Sequence, residues 1–377
     1  MIPLKIKCPF IEILTDFKLK CHEMKCSNAA QRIFVMAIIL FLFQQSSAQP
    51  YVFYRHGKAT VETLDSPAVK METFPAAEKE KHSVEVRFPG NEKWNFTVSL
   101  KAITIEPVES AQADTILFLS DIEGEFGYLR QMLISNHVMD ENYNWTFGKG
   151  EMVICGDLFD RGTQVTQQLW LLYKLESAAI ENGGAVHIIL GNHEIMNLSG
   201  DLRYVQPLYL DDARLLGKDY IELFDQNTEL GQWLRSKNII EKIGKFLCLH
   251  GGISSEMLNK NLTLEEINKK ARPYYATPNS GLPEYLADFF NSNSPFWYRG
   301  YFIEPRGGEE LVAGTLAKYG VDKIIVGHTI TIRVGSFYDG KVWDINTDWH
   351  AGNPQGLLVE KENYFRVNEN GARTQFK

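Results

Sequence analysis

The feature that most constrains this chain is a polar turn at the end of an apolar run: Met152-Val153-Ile154-Cys155, then Gly156-Asp157-Leu158-Phe159-Asp160-Arg161-Gly162. An apolar run closed by glycine reads as a strand buried on both faces, as the inner strands of open α/β sheets are. In such sheets ligand sites gather beyond the carboxyl ends of the strands. Two carboxylates three residues apart, an arginine beside the second and a glycine at each edge suit a turn that holds a divalent cation and a phosphate together. A helix-capping Asp paired to an Arg would give the same letters.

Four other strand ends decide between these readings. Ile116-Leu117-Phe118-Leu119 runs into Ser120-Asp121-Ile122-Glu123-Gly124-Glu125, and Val186-His187-Ile188-Ile189-Leu190 into Gly191-Asn192-His193-Glu194. Phe246-Leu247-Cys248-Leu249 ends in His250-Gly251-Gly252, and Lys323-Ile324-Ile325-Val326 in Gly327-His328-Thr329. Helical patterns alternate with these strands: Phe126, Leu129 and Leu133 share a face, as do Val165, Leu169, Leu172 and Tyr173 before Gly183-Gly184. Only nine histidines occur in the chain, and His193, His250 and His328 each stand at a strand end. One such histidine is more often structural; three together with Asp121 and Asp157 are hard to explain that way. Oxygen and imidazole donors without thiolate suit Mn, Fe, Zn or Mg. Six such ligands divided between two ions make a site that acidifies a bridging water and clamps an in-line displacement at phosphorus.

At 377 residues, with 44% apolar and 12% aromatic content, the chain is globular, with one large core or a core and a small satellite. The apolar run 33–43 is shorter than the roughly 20 residues a membrane span needs. Lys25 and Arg32 precede it and Ser46-Ser47-Ala48 follows, the layout of a secretory signal whose translation starts at Met24; the alternative is a buried N-terminal helix. Residues 1–48 are thus expected to be a leader, and the mature protein to be periplasmic or secreted, with no stable membrane anchor. Its loss leaves 33 Lys/Arg against 44 Asp/Glu, a net charge near −11, which argues against nucleic acid or an anionic membrane as partner. Cys155 and Cys248 then remain, read as buried thiols, with one disulfide between them as the alternative.

Residues 49–110 alternate apolar and polar residues between turns such as Pro89-Gly90-Asn91, which predicts a small β-rich module with exposed histidines at 56 and 82 and a polar linker over Glu109–Asp114. Residues 111–377 carry the motifs. They are interrupted by helical insertions at about 195–243 and 261–295, the second opened by the capping-box pattern Thr263-Leu264-Glu265-Glu266.

In order and spacing, Asp121-x-Glu123-Gly124, Gly156-Asp157-x-x-Asp160-Arg161-Gly162, Gly191-Asn192-His193-Glu194, His250-Gly251-Gly252 and Gly327-His328-Thr329 resemble the calcineurin-like metallophosphoesterases over roughly residues 114–366. Trp297-x-Arg299-Gly300 and the two insertions look most like the bacterial Shewanella-like protein phosphatases. The resemblance implies an α/β fold with a central β-sandwich flanked by helices, and two divalent metal ions. Asp157 would bridge them, with Asp121 and Glu123 completing the first site and Asn192, His250 and His328 the second. His193 would be the general acid, its imidazole held by Asp160. Arg161 would fork onto phosphate oxygens with Arg299 as a second clamp, unless Arg299 instead ties down the insertion by a salt bridge.

The implied substrate is a phosphate monoester, on a small molecule or a protein, with a leaning towards phosphotyrosine. The other classes are a phosphodiester or dinucleoside polyphosphate hydrolase, and a sensor or scaffold with impaired catalysis; His193, Asp160 and Arg161 argue against the last. One position departs from the family, which usually has His where this chain has Glu123. As a ligand Glu123 adds negative charge and favours Mn or Mg over Zn. Alternatively it points away, Glu125 substitutes, or the first site is poorly occupied. Asp344, Asp348 and His350 either line the pocket mouth or belong to a solvated loop anchored by Trp349.

Overall fold

From Pro50 the chain makes an antiparallel meander of β1 (Pro50–Arg55), β2 (Lys58–Asp65) and β3 (Ala68–Pro75), then a hairpin of β4 (Ser83–Val86) and β5 (Phe96–Ser99). The structure, a computed structural model, describes residues 49–65 and 68–376; the signal-peptide reading lies outside the described residues. The segment expected to be a linker contributes β6 (Glu109–Ser110), which pairs in parallel with Lys242 and Ile243. Backbone hydrogen bonding claims even a polar segment when it runs along an open sheet edge.

The motif-bearing runs become β7 (Thr115–Leu119), β8 (Glu151–Cys155), β9 (Ala185–Ile189), β10 (Ile240–Ile243), β11 (Phe246–Leu249) and β12 (Lys323–Val326). Then follow β13 (Gly335–Phe337), β14 (Val342–Asp344), β15 (Gln355–Glu360), β16 (Asn363–Asn368) and β17 (Arg373–Gln375). One sheet has the order β17-β16-β15-β7-β8-β9 and the other β13-β14-β12-β11-β10-β6. β7, β8 and β9 are parallel neighbours, as are β11, β12 and β14, so in each set the carboxyl ends share an edge.

Alternation along β7 shows why these runs are apolar throughout. Ile116 and Phe118 enter a core with Val153, Cys155, Ile243, Phe246, Cys248 and Ile325 from both sheets, while Leu117 and Leu119 enter the core shared with the helices. A strand covered on both faces has no position for a polar side chain until its end, where the polar turns begin. Cys155 and Cys248 are both buried and free, the expected thiols.

Among the described residues the α-helices are α1 (Phe126–Ser135), α2 (Val165–Glu181), α3 (Asn192–Ser199), α4 (Pro207–Leu215), α5 (Glu229–Ser236), α6 (Ser255–Asn259), α7 (Leu264–Ala271), α8 (Ala287–Phe290) and α9 (Gly308–Tyr319). The Thr263 side chain accepts from the Glu266 N–H and Glu266 from the Thr263 N–H, the capping box expected there. The first insertion is helical only as far as Ser236, because β10 takes up its last residues. His56 is exposed as expected, but His82 stacks on Phe74 at 3.6 Å and is half-buried.

Candidate active site

Glycine sets the closeness of the approach. A Cβ on Gly191 would lie 2.3 Å from Asp157 Oδ1, and one on Gly156, whose φ is +85°, would lie 2.6 Å from His250 Nδ1. Both turns therefore press backbone against functional side chains. Asp121, Glu123, Asp157, Asp160, Arg161 and His328 all have φ between +46° and +75°, a region that non-glycine residues seldom occupy and that concentrates at functional sites.

Glu194 ties the two turns together. Its Oε2 accepts from the N–H groups of Gly191 (2.6 Å) and Asp157 (2.9 Å), and its Oε1 from those of Leu158 (2.6 Å) and Phe159 (3.2 Å). Four backbone donors on one buried carboxylate fix the start of α3 against the turn after β8.

Around Asp157 two groups of donor atoms gather, each with its atoms within 4.8 Å of one another: Asp157, His250 and His328 in one, Glu123, Asp157 and His193 in the other. His250 Nδ1 faces the Cys155 carbonyl at 2.6 Å and His328 Nε2 faces that of Trp297 at 3.1 Å. With those nitrogens donating, His250 Nε2 presents a lone pair to Asp157 Oδ2 (3.0 Å), Asn192 Oδ1 (3.1 Å) and His328 Nδ1 (3.1 Å). Acceptors turned on one another repel unless a cation lies between them. Ligands about 2.1 Å from an octahedral ion are roughly 3 Å apart, so the spacing fits. The carboxylates draw positive charge to this point: burial opposes a charge on His250, yet Asp157 and Asp121 pull its pKa up to about 10, so a cation bound at Nε2 takes the place of a proton there. Burial also opposes charge on Asp157, but His250 and His193 hold it well below the usual carboxylate range. The donor set therefore fits divalent cations.

Asp121 joins this centre from β7. It accepts hydrogen bonds from the Ser120 hydroxyl, from the His328 N–H at 3.0 Å and from Asn346 Nδ2 at 2.8 Å. Burial raises its pKa to about 6 against the pull of His250.

His193 stands at the start of α3. Its Nδ1 is 2.5 Å from Asp160 Oδ2, while Nε2 is 3.7 Å from Glu123 Oε1 and 3.8 Å from Asp157 Oδ2, beyond hydrogen-bond length. Asn197, one turn later, donates to Asp160 Oδ1 at 3.0 Å and accepts from the Tyr220 hydroxyl at 2.7 Å. Burial disfavours the imidazolium, but Asp157 and Asp160 raise the His193 pKa.

The two arginines are present in less open postures than expected. Arg161 pairs with Glu123 and lies over the Tyr204 ring, 5.5 Å from its centroid. Glu123 is 5% exposed at its side chain, and a carboxylate that buried takes the nearest cation. Arg299 donates from Nη1 to the His328 carbonyl at 2.6 Å and so ties the second insertion to the site by a backbone contact. Burial lowers its pKa. His350 reaches both Glu123 and Glu125, and Trp349 beside it is buried, so this loop is both anchored and at the mouth of the site.

Sequence reasoning missed Ser120, Asn197, Tyr220 and Asn346, and gave Glu194 no task. Asn197 lies four residues after His193, a spacing that puts both on one helix face. Asn346 reaches Asp121 across 225 residues and no local pattern announces it.

The sequence profile described as Calcineurin-like phosphoesterase matches residues 114–331. The crystal structure of a cold-active protein-tyrosine phosphatase from a psychrophilic Shewanella species superposes with a TM-score of 0.79 at 35% identity, covering 87% of this chain and 98% of that one. Shewanella-like protein phosphatase 1 of Plasmodium berghei is 26% identical over 62% of this chain and 66% of its own length. Shewanella-like protein phosphatase 2 of Arabidopsis thaliana is 25% identical over 58% of this chain and 66% of its own length. Each match to those two phosphatases therefore spans just under two thirds of the relative. With its strand ends converging on Asp157 in the same fold, the chain belongs to the calcineurin-like phosphoesterases and is a metal-dependent phosphatase.

Proposed function

We propose that this phosphatase hydrolyses phosphate monoesters and that its substrates include phosphotyrosine side chains of proteins. The observation that carries the reading is the pair of donor groups sharing Asp157, the second of which includes His193, whose Nε2 has no partner at hydrogen-bond distance from Glu123 or Asp157 and is free to carry a proton. The Shewanella protein-tyrosine phosphatase in the same fold supports the substrate class. So does a cavity of about 500 Å³ lined by Met196, Ser199, Asp201, Arg203, Phe290 and Trp297, large enough for groups flanking the ester. Trp297 links it to the centre, its ring 5.6 Å from that of His328.

Asp121, Glu123 and Asp157 would hold one divalent cation, and Asp157, Asn192, His250 and His328 a second, with Mn favoured because oxygen donors predominate at the first. When bound, such a pair neutralises phosphate charge and acidifies water. The residues of the chain do the rest. A water oxygen forms its bond to phosphorus as the ester P–O bond breaks. His193 passes the Nε2 proton to the departing oxygen, which leaves as a neutral alcohol or phenol. Asp160 keeps the Nδ1 proton and stabilises the imidazolium beforehand, while Asn197 and Tyr220 hold Asp160 still. Arg299, and Arg161 once released from Glu123, hydrogen-bond the phosphate oxygens.

The test is hydrolysis of p-nitrophenyl phosphate with Mn, beside phosphotyrosine peptides, a bis(p-nitrophenyl) diester and dinucleoside polyphosphates. Monoesters should be turned over fastest, and His193→Ala should lower kcat by about 10²–10⁴. Faster turnover of the diester or the nucleotides would replace this reading with the second hydrolase class. No turnover with any substrate would leave a scaffold.

We also propose export. The mature amino terminus, read by Edman degradation of protein recovered outside the cytoplasm, should be Gln49; a terminus at Met24 or Met1 would refute cleavage.

A further inference from the structure

With His193 kept for proton donation, Glu123 leaves the first cation position with carboxylates only, and the structure brings a second imidazole to it. His350 lies in the loop after β14. There Trp349 is 1% exposed, and Asp348 accepts from the N–H groups of Ala351 (2.9 Å, at Oδ1) and Asn353 (3.0 Å, at the carbonyl). The same loop sends Asn346 to Asp121, so it grips both ends of the Asp121-Ile122-Glu123 turn. His350 Nδ1 is 2.7 Å from Glu125 Oε1, and its Nε2 is 3.2 Å from Glu123 Oε2.

We propose that His350 is a ligand of the first cation through Nε2, with Glu125 as the carboxylate that orients it. Carboxylates that accept the far N–H of an imidazole fix its tautomer and raise its basicity in metal sites. With the proton on Nδ1 and donated to Glu125, the Nε2 lone pair faces a Glu123 oxygen at the spacing of two neighbouring ligands on one ion. A nitrogen donor then returns to the site from a position more than 200 residues along the chain; Glu123 already turns one oxygen to His350, while the other, 3.7 Å from His193 Nε2, is paired with Arg161 and becomes a ligand when that arginine moves to the phosphate. The competing account makes His350 a cation bridging two glutamates, which would hold Glu123 away from a metal.

The two accounts predict opposite signs. Chelator-treated full chain is dialysed against graded Mn and bound metal is counted by mass spectrometry, for wild type, His350→Ala and Glu125→Gln. The inference rests on the two-cation reading, and wild-type uptake of fewer than two ions per chain would sink that reading itself. Given two in the wild type, His350→Ala should keep one ion and bind the other at least tenfold more weakly. Millimolar free imidazole should restore the second, and Glu125→Gln should weaken it less. Unchanged or tighter binding in His350→Ala, in protein whose metal-free Tm equals that of the wild type, would overturn the assignment. If His350→Ala lowers that Tm, imidazole rescue of the lost ion decides: rescue supports ligation, and failure to rescue refutes it.

Discussion

Glu194 shows how much one side chain can hold in place. It accepts four backbone N–H groups from the two turns that carry Asp157 and Asn192. A buried donor left unsatisfied costs about 1–3 kcal/mol, so Glu194→Ala should lower unfolding stability by about 3 kcal/mol or more, measured by urea denaturation. It should weaken Mn binding as well, although Glu194 belongs to neither donor group around Asp157. Asn197 acts more narrowly. Asn197→Ala removes one bond to Asp160 and one to the Tyr220 hydroxyl. It should cut kcat by about 10–100-fold, as loss of an outer partner of a site residue does, with KM for p-nitrophenyl phosphate little changed. A large rise in KM with kcat intact would show that the Asp160 tether serves binding instead.

Among the elements, β9 and β10 are joined by side chains as well as by packing. His187 on β9 is 12% exposed at its side chain, and its Nδ1 is 2.9 Å from Glu241 Oε2 on β10. Burial disfavours charge on this imidazole, but the hydrogen bond and charge of Glu241, together with the charges of Glu151 and Glu106, outweigh it and raise the pKa above the ordinary 6.5. A histidine whose pKa rises on folding adds stability that is complete below the unfolded pKa and fades as pH climbs through the folded one. The Tm difference between wild type and His187→Gln should therefore be larger at pH 6 than at pH 9; an equal difference at both would show the pair to be uncharged. Elements are also where the sequence was most and least readable. β7, β8, β11 and β12 were legible because strands covered on both faces must be apolar until they end, and their motifs begin where apolarity stops. β6 was not, because two polar residues become a strand only when β10 offers an edge. The same division runs through the site. Asp121, Asp157, Asn192, His193, His250 and His328 announce themselves by position, whereas Asn346 and His350 arrive on a loop whose placement follows from burial of Trp349.

At the scale of the whole molecule, the amino-terminal strands are knitted to the catalytic half. Glu229, whose side chain is fully buried, accepts from the hydroxyls of Tyr54 and Tyr173 and from Lys79 at 3.0 Å. Trp170 Nε1 donates to the Pro50 carbonyl at 3.1 Å, and Phe96 stacks on Phe126. Removing one member of a buried charged group costs about 3–5 kcal/mol, so Lys79→Ala or Tyr173→Phe should be tolerated better than Glu229→Ala only if the remaining donors satisfy the carboxylate. The strands and the catalytic half should unfold in one calorimetric transition, and two resolved transitions would show separate domains.

The central claim is that five strand ends meet at Asp157 to hold two cations beside His193. A crystal grown with Mn and measured at the Mn absorption edge tests it most directly. The account predicts two anomalous peaks flanking Asp157, each with ligand oxygens or nitrogens at about 2.0–2.6 Å and His193 Nε2 facing the space beside them. A single peak, or peaks elsewhere with Asp157 bound to none, would contradict it.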